Sequence, residues 1–196
     1  MTYMERPNRN DVFIVDETAN PAPLGLCAFG MTTILLSLHN AGYIGLSASI
    51  IGMALFYGGI AQVIAGLLEW KKNNIFGFVT FGSFGFFWLT FAAISLLPSM
   101  GISVAPTAID MAAFLFVWGL FVLGLLICSL RLHKLLLITL AFVLLMVISL
   151  IVGDVTGVEL FKNLGGYSGI VAGFLALYMG MAQVINDVYQ EPVLPV

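Results

Sequence analysis

Lys134-Leu-Leu-Leu-Ile-Thr-Leu-Ala-Phe-Val-Leu-Leu-Met-Val-Ile-Ser-Leu-Ile-Val-Gly153 carries no charge after its first residue, and its only other polar side chains are Thr139 and Ser149. A helix needs about 20 mostly apolar residues to cross the hydrocarbon core of a bilayer, and this run is that long. Five further runs of similar character lie outward from it, and the expected spans are 22–40, 47–69, 74–97, 107–130, 134–153 and 165–187. Gly, Pro and charged residues punctuate them: His39-Asn40-Ala41-Gly42, Glu69 to Asn74, Pro98 to Pro106, Arg131 to Lys134, and the polar stretch from Gly153 to Gly166.

Composition agrees with this reading. Of 196 residues, 61% are hydrophobic and 9% charged, against roughly 25% charged in ordinary globular proteins. That is too few charges to cover a soluble surface, and the mean hydropathy of +1.08 points the same way. The fold class is therefore an all-α integral membrane protein with six transmembrane helices. The expected division is a flexible N-terminal tail over 1–19, a six-helix domain over 20–188 and a short C-terminal tail over 189–196. The polar first twenty residues lack the apolar core of a cleavable signal peptide. Seven Lys and Arg against ten Asp and Glu leave a net charge of −3, which excludes nucleic-acid binding through a basic face. Cys27 and Cys128 each sit in an apolar run with no metal-ligand spacing around them, so both are expected to be buried small hydrophobes.

Basic residues set the orientation. Arg6, Arg9, Lys71, Lys72, Arg131 and Lys134 fall on the side that holds both termini, and only Lys162 falls on the other. Cytoplasmic segments carry the excess of Lys and Arg, so both termini are expected in the cytoplasm of a multi-pass cell-membrane protein.

The second and sixth spans echo each other. Tyr57-Gly58-Gly59-Ile60-Ala61-Gln62-Val63-Ile64 aligns with Tyr178-Met179-Gly180-Met181-Ala182-Gln183-Val184-Ile185. Glycines recur every seven residues, at Gly45, Gly52, Gly59 and Gly66 and again at Gly166, Gly173 and Gly180. That period keeps them on one helix face, where small residues let a neighbouring backbone approach closely. Gln62 and Gln183 each follow a glycine by three residues and share that face. A buried amide in hydrocarbon must bond across helices or face a wet cavity.

No span carries Lys, Arg, Asp or Glu near its middle. Glu69, Asp110, Asp154, Glu159 and Asp187 all fall at span ends, where carboxylates are expected to be solvated. The chain has no Gly-x-Gly-x-x-Gly, P-loop, His-Glu-x-x-His or Ser-His-Asp set, so it is not read as an enzyme, and no metal or cofactor is implied. The polar inventory within the spans is uncharged, with Thr32, Thr33, Gln62 and Gln183 prominent, and suits the lining of a passage for a small polar solute. The third span is rich in aromatics: Phe76, Phe78, Phe81, Phe84, Phe86, Phe87 and Trp88. Most are expected to face lipid or a neighbouring subunit, with one or two left to form an apolar collar.

Asn20-Pro21-Ala22-Pro23-Leu24-Gly25-Leu26 opens the first span. Proline suits a helix's first turn and pushes the residue before it towards extended geometry, so Asn20 marks the boundary. The free N–H groups and positive dipole end there favour a carboxylate.

This stretch resembles the signature of the acetate uptake transporter family, which includes bacterial succinate–acetate permeases and yeast acetate and ammonia export proteins. Phe29-Gly30-Met31-Thr32-Thr33-Ile34-Leu35-Leu36, Leu38-His39-Asn40, Phe56-Tyr57-Gly58-Gly59-Ile60-Ala61-Gln62, Ala65-Gly66-Leu67-Leu68-Glu69 and Phe87-Trp88-Leu89-Thr90 extend the likeness over about residues 20–187. The resemblance implies a homo-hexamer with one pore in each six-helix protomer, passing acetate and sometimes succinate. It also implies a constriction of a Phe, a Tyr and a Leu. Phe29 matches the Phe, whereas Phe84 stands in place of the Tyr and Val143 in place of the Leu. Gln183 stands where bacterial relatives are expected to have an acidic residue.

The function expected is a channel or permease for acetate or a similar small carboxylate. Its path starts at Asn20, passes Tyr57 and the patch of Thr32, Thr33, Gln62 and Gln183, crosses the ring of Phe29, Phe84 and Val143, and leaves near His39 and Asn40. With no ionisable residue in mid-span, passage of the anion alone and passage with a proton both fit. An uncharged lining also fits a pore for urea or ammonia, and glycine seams alone fit a membrane sensor or assembly partner that transports nothing.

Overall fold

The computed structural model describes residues 18–195. Among the described residues, six helices are long and apolar enough to cross a membrane: α1 (Ala22–Asn40), α2 (Ala48–Lys71), α3 (Ile75–Ser99), α4 (Ala108–Ser129), α5 (Lys134–Thr156) and α6 (Glu159–Tyr189). Local chemistry writes their ends. The Asn74 side chain accepts from the Gly77 N–H at 3.1 Å and starts α3. Thr107 and Asp110 start α4 with a reciprocal capping box. Gly157, at φ 71°, ends α5 in the left-handed conformation that glycine tolerates best.

The polar stretch between the last two helices is shorter than its composition implies. The sixth helix begins at Glu159, not near 165. Asp154 and Lys162 pair at 3.0 Å across the turn, so their charges belong to helix ends. Pro98 likewise lies inside the last turn of α3 and does not open the loop. The expected N-terminal tail, with Arg6 and Arg9, lies outside the described residues apart from Thr18 and Ala19. At the other end the Asn186 side chain bonds both the N–H and the C=O of Leu194 at 2.8 Å, folding the last residues back along α6.

Helices α1, α6, α5 and α4 pack in that order, while α2 packs on α3 and crosses α1. Where α1 meets α6, a Cβ on Gly173 would come within 2.6 Å of Ile34 Cγ1 and 2.8 Å of the Gly30 carbonyl oxygen. Where α2 meets α3, a Cβ on Gly66 would come within 2.6 Å of the Gly82 nitrogen. Backbones approach this closely only across glycine.

The seven-residue echo is only partly repeated in packing. Gly166, Gly173 and Gly180 all press against α1, whereas Gly45 and Gly52 face open space. Two physical reasons account for this. Gly45 precedes α2, and Met53–Ala61 in the middle of α2 winds as a π-helix. Its wider turn carries Gly52 off the face that holds Gly59 and Gly66. Cys27 is buried as expected, but Cys128 is exposed on the apolar outer side of α4.

Helices α3 and α4 meet through aromatic rings: Phe87 stacks on Phe114 at 5.7 Å and meets Trp118 edge-on at 5.1 Å. The expectation that most of the α3 aromatics face outward is therefore wrong. Phe78 and Phe86 are exposed, but Phe76, Phe81, Phe84, Phe87 and Trp88 all line the interior. Side chains of this length hold two helices apart and enclose space between them.

Candidate functional site

Two chambers share that enclosed space. One, of about 330 Å³, opens beside Asn20, and the other, of about 410 Å³, opens beside His39. Phe29 of α1 and Phe84 of α3 line both. Their ring centroids are 5.2 Å apart with planes tilted by 39°, and Phe121 meets Phe84 edge-on at 5.8 Å. Val143 of α5, Val122 and Leu125 of α4, Leu140 of α5, and Ala172 and Ala176 of α6 pack in the same buried cluster. The three expected constriction residues thus meet in one apolar waist. The side chains of Phe29, Phe84 and Val143 carry no hydrogen-bonding group, so a solute passing between them exchanges part of its hydration for apolar contact.

The Asn20-side chamber is built from helix ends. Pro21 and Pro23 begin α1, and the Asn20 Oδ1 accepts from the Ala22 N–H at 3.0 Å. The other face of the same side chain donates through Nδ2 to Gln183 Oε1, also at 3.0 Å. That bond joins the start of α1 to the end of α6. Gln62 lies in the same chamber, fully buried, with neither its Nε2 nor its Oε1 bonded to protein. The echoing glutamines of the second and sixth spans are therefore brought together. Glu69, Asn74, Thr80, His133 and Thr139 complete the polar lining.

Glu69 overturns the expectation that span-end carboxylates are solvated. It is 2% exposed, and its Oε2 accepts from Asn74 Nδ2 at 2.7 Å while Oε1 has no partner. A Cβ at Gly77 would strike Glu69 Cδ at 2.7 Å, so that glycine makes the room for the carboxyl group.

The His39-side chamber holds Thr33, Ser37, His39, Asn40, Trp88, Asp154 and Lys162. The His39 Nδ1 lies 3.0 Å from the Ile44 carbonyl oxygen, which fixes the ring at the mouth. Thr33 Oγ1 and Trp88 Nε1 are buried without protein partners. The order of the expected path changes accordingly: Thr33 lies beyond the waist, with His39 and Asn40, and not before it with the glutamines. Thr32 lines neither chamber; its side chain lies against Gly58, where a Cβ would come within 2.8 Å of Thr32 Oγ1. Tyr57, on the π-helical turn, also lines neither.

Among the described residues, six carry buried side-chain N or O atoms with no protein partner, and five of these line a chamber: Gln62, Glu69 and Thr80 on one side of the waist, Thr33 and Trp88 on the other. Each such group left unsatisfied costs about 1–3 kcal/mol, so their collection here marks a surface made for polar occupants. The sequence reading counts Thr80 among the uncharged polar groups suited to a passage and Trp88 among the third-span aromatics without assigning either to the site, although both stand four residues from Phe84 and so share its helix face. The contribution of Val122 carried no signal, because α4 is apolar all round.

Among the described residues, six membrane-length helices around two chambers with buried polar groups, joined at an apolar waist, define a multi-pass membrane transport protein. Residues 6–195 match the GPR1/FUN34/yaaH family, and the chain belongs to it. It is 43% identical over 178 residues to the succinate-acetate/proton symporter SatP of Escherichia coli, covering 91% of this chain and 95% of that one. It is 36% identical to the ammonia transport outward protein 2 of Saccharomyces cerevisiae, covering 87% of this chain and 63% of the yeast protein. Among solved structures, the bacterial acetate channel SatP superposes with a TM-score of 0.90 at 43% identity, covering 92% of this chain and 99% of that one.

Proposed function

We propose that this protein passes acetate, and succinate among other small carboxylates, across the cell membrane, with one passage in each protomer of a hexamer and both termini in the cytoplasm. The observation that carries this reading is the waist of Phe29, Phe84 and Val143 between two chambers with unpartnered polar groups. The likeness to a bacterial acetate channel and to a succinate-acetate/proton symporter supplies the solute class. The orientation rests on charge: Lys71, Lys72, Arg131 and Lys134 stand at the helix ends on the Asn20 side, against Lys162 on the other. Asn20, Gln62 and Gln183 receive the solute on the cytoplasmic side, and Thr33, His39 and Asn40 line its way beyond the waist.

Uptake of labelled acetate into vesicles containing the purified protein tests the reading. Uptake above that of protein-free vesicles, reduced by unlabelled succinate, supports it. Vesicles no more permeable than lipid alone overturn it and favour a sensor or assembly role. A uniformly uncharged waist also fits a neutral solute such as ammonia or urea; urea permeability that acetate fails to reduce identifies that alternative.

A further inference from the structure

The waist poses a physical problem. The side chains of Phe29, Phe84 and Val143 offer no donor to replace the hydration of a carboxylate, and an unpaired charge in an apolar constriction is costly. A carboxylic acid crosses far more cheaply than its anion, provided a group in the chamber supplies a proton.

We propose that Glu69 is that group: the proton-binding site of the Asn20-side chamber, which hands a proton to an entering carboxylate before the waist. This rests on the solute class proposed above. Glu69 lines the same chamber as Phe29 and Phe84, and one of its two carboxyl oxygens is free of protein partners. An ionised carboxyl group can only accept hydrogen bonds, whereas a protonated one also donates. In the ionised state Glu69 repels a second carboxylate. Once protonated at Oε1, it donates to the incoming anion, and the Asn74 bond to Oε2 holds the group in place.

The proton balance closes. Glu69 takes one proton from the Asn20-side solution, and the carboxylate binds through it. The O–H bond on Glu69 then breaks as one forms on the solute, which passes the waist as a neutral acid, and Glu69 returns to its ionised state. Proton and anion thus travel together without net charge transfer. Among the described residues, the titratable groups near Glu69 are Lys72, just past the end of its own helix, and His133, which lines the same chamber before α5. The polar groups offered by α1, α3 and α6 are the uncharged Asn20, Asn74, Thr80 and Gln183.

Acetate affinity of the whole protein in lipid nanodiscs, measured from about pH 5.5 to about pH 9, tests the assignment. The wild type is expected to lose affinity on the alkaline side by up to about tenfold per pH unit, the slope of one linked proton. Glu69→Gln, whose amide donates at every pH, binds acetate with a flat profile and exchanges it across vesicles more slowly, because it has no proton to give. Glu69→Asp restores the slope. His133→Gln keeps it, which separates the carboxyl group from an imidazole that also titrates near neutrality. A wild-type profile flat across the range overturns the proposal, as does a Glu69→Gln profile with the wild-type slope. Loss of the slope in His133→Gln also overturns it and needs no folded Glu69 variant. Absence of acetate binding by the wild type at every pH overturns the proposed function as well.

Discussion

Phe29→Ala is the substitution that reads the waist most clearly. The Phe29 ring is 8% exposed, faces both chambers and packs on Phe84 at 5.2 Å, so its removal joins the two cavities. In a fully packed core, Phe→Ala costs about 3–5 kcal/mol. Here part of the ring borders hollow space, so the loss is expected at the lower end, about 3 kcal/mol, and the six-helix bundle persists. The kinetic gain depends on what water the solute keeps. One retained hydrogen bond is worth about 1 kcal/mol to a neutral acid and about 1.5–3 kcal/mol to an anion. Through the exponential dependence of rate on barrier, acetate exchange rises about fivefold in the first case and about tenfold to a hundredfold in the second. Exchange of labelled acetate across vesicles measures this, with succinate alongside as the bulkier probe, which gains more than acetate. Unchanged rates for both solutes in a folded Phe29→Ala protein would refute the assignment of this ring to the constriction.

Other substitutions test the supports of the passage. Phe84→Tyr places a hydroxyl at a waist that has none and is expected to speed acetate exchange by about fivefold, the worth of one hydrogen bond; a slower rate would show that crowding by the added atom outweighs it. Asn20→Ala removes both the Ala22 cap and the link to Gln183, and is expected to destabilise the protein by about 1–2 kcal/mol, read as a lower melting temperature in detergent. Gly173→Ala forces α1 and α6 apart at the cost of about 1–3 kcal/mol, whereas Gly52→Ala meets open space and leaves the melting temperature unchanged or slightly raised. Equal responses from those two glycines would contradict the packing described.

The six spans were legible because hydrocarbon accepts only long uncharged runs, and because Gly, Pro and Lys mark where they stop. The start of α6 was not, since Lys162 and Asp154 read as loop until they are seen paired across the Gly157 turn. Phe29, Phe84 and Val143, assigned to a constriction by resemblance, meet in one cluster. Gln62 and Gln183, singled out as polar groups on glycine faces, share a chamber. Thr32 was beyond reach: adjacent to Thr33 on α1, it turns by about 100° to face Gly58. Nor was the winding of α2 visible, since Tyr57-Gly58-Gly59 echoes a segment of α6 that remains an ordinary α-helix. Glu69 was misread for a general reason. A carboxyl group four residues from Asn73 and beside two lysines looks interfacial, and only the space left by Gly77 lets it turn inward.

The central claim is that a small carboxylate crosses this protein through the waist at Phe29 and Phe84. Equilibrium exchange of labelled acetate across sealed vesicles tests it without regard to whether a proton accompanies the anion. The prediction is exchange faster than in protein-free vesicles, slowed by Phe29→Trp, which fills the waist, and quickened by Phe29→Ala. Exchange no faster than through lipid alone, or exchange indifferent to both substitutions, would contradict it.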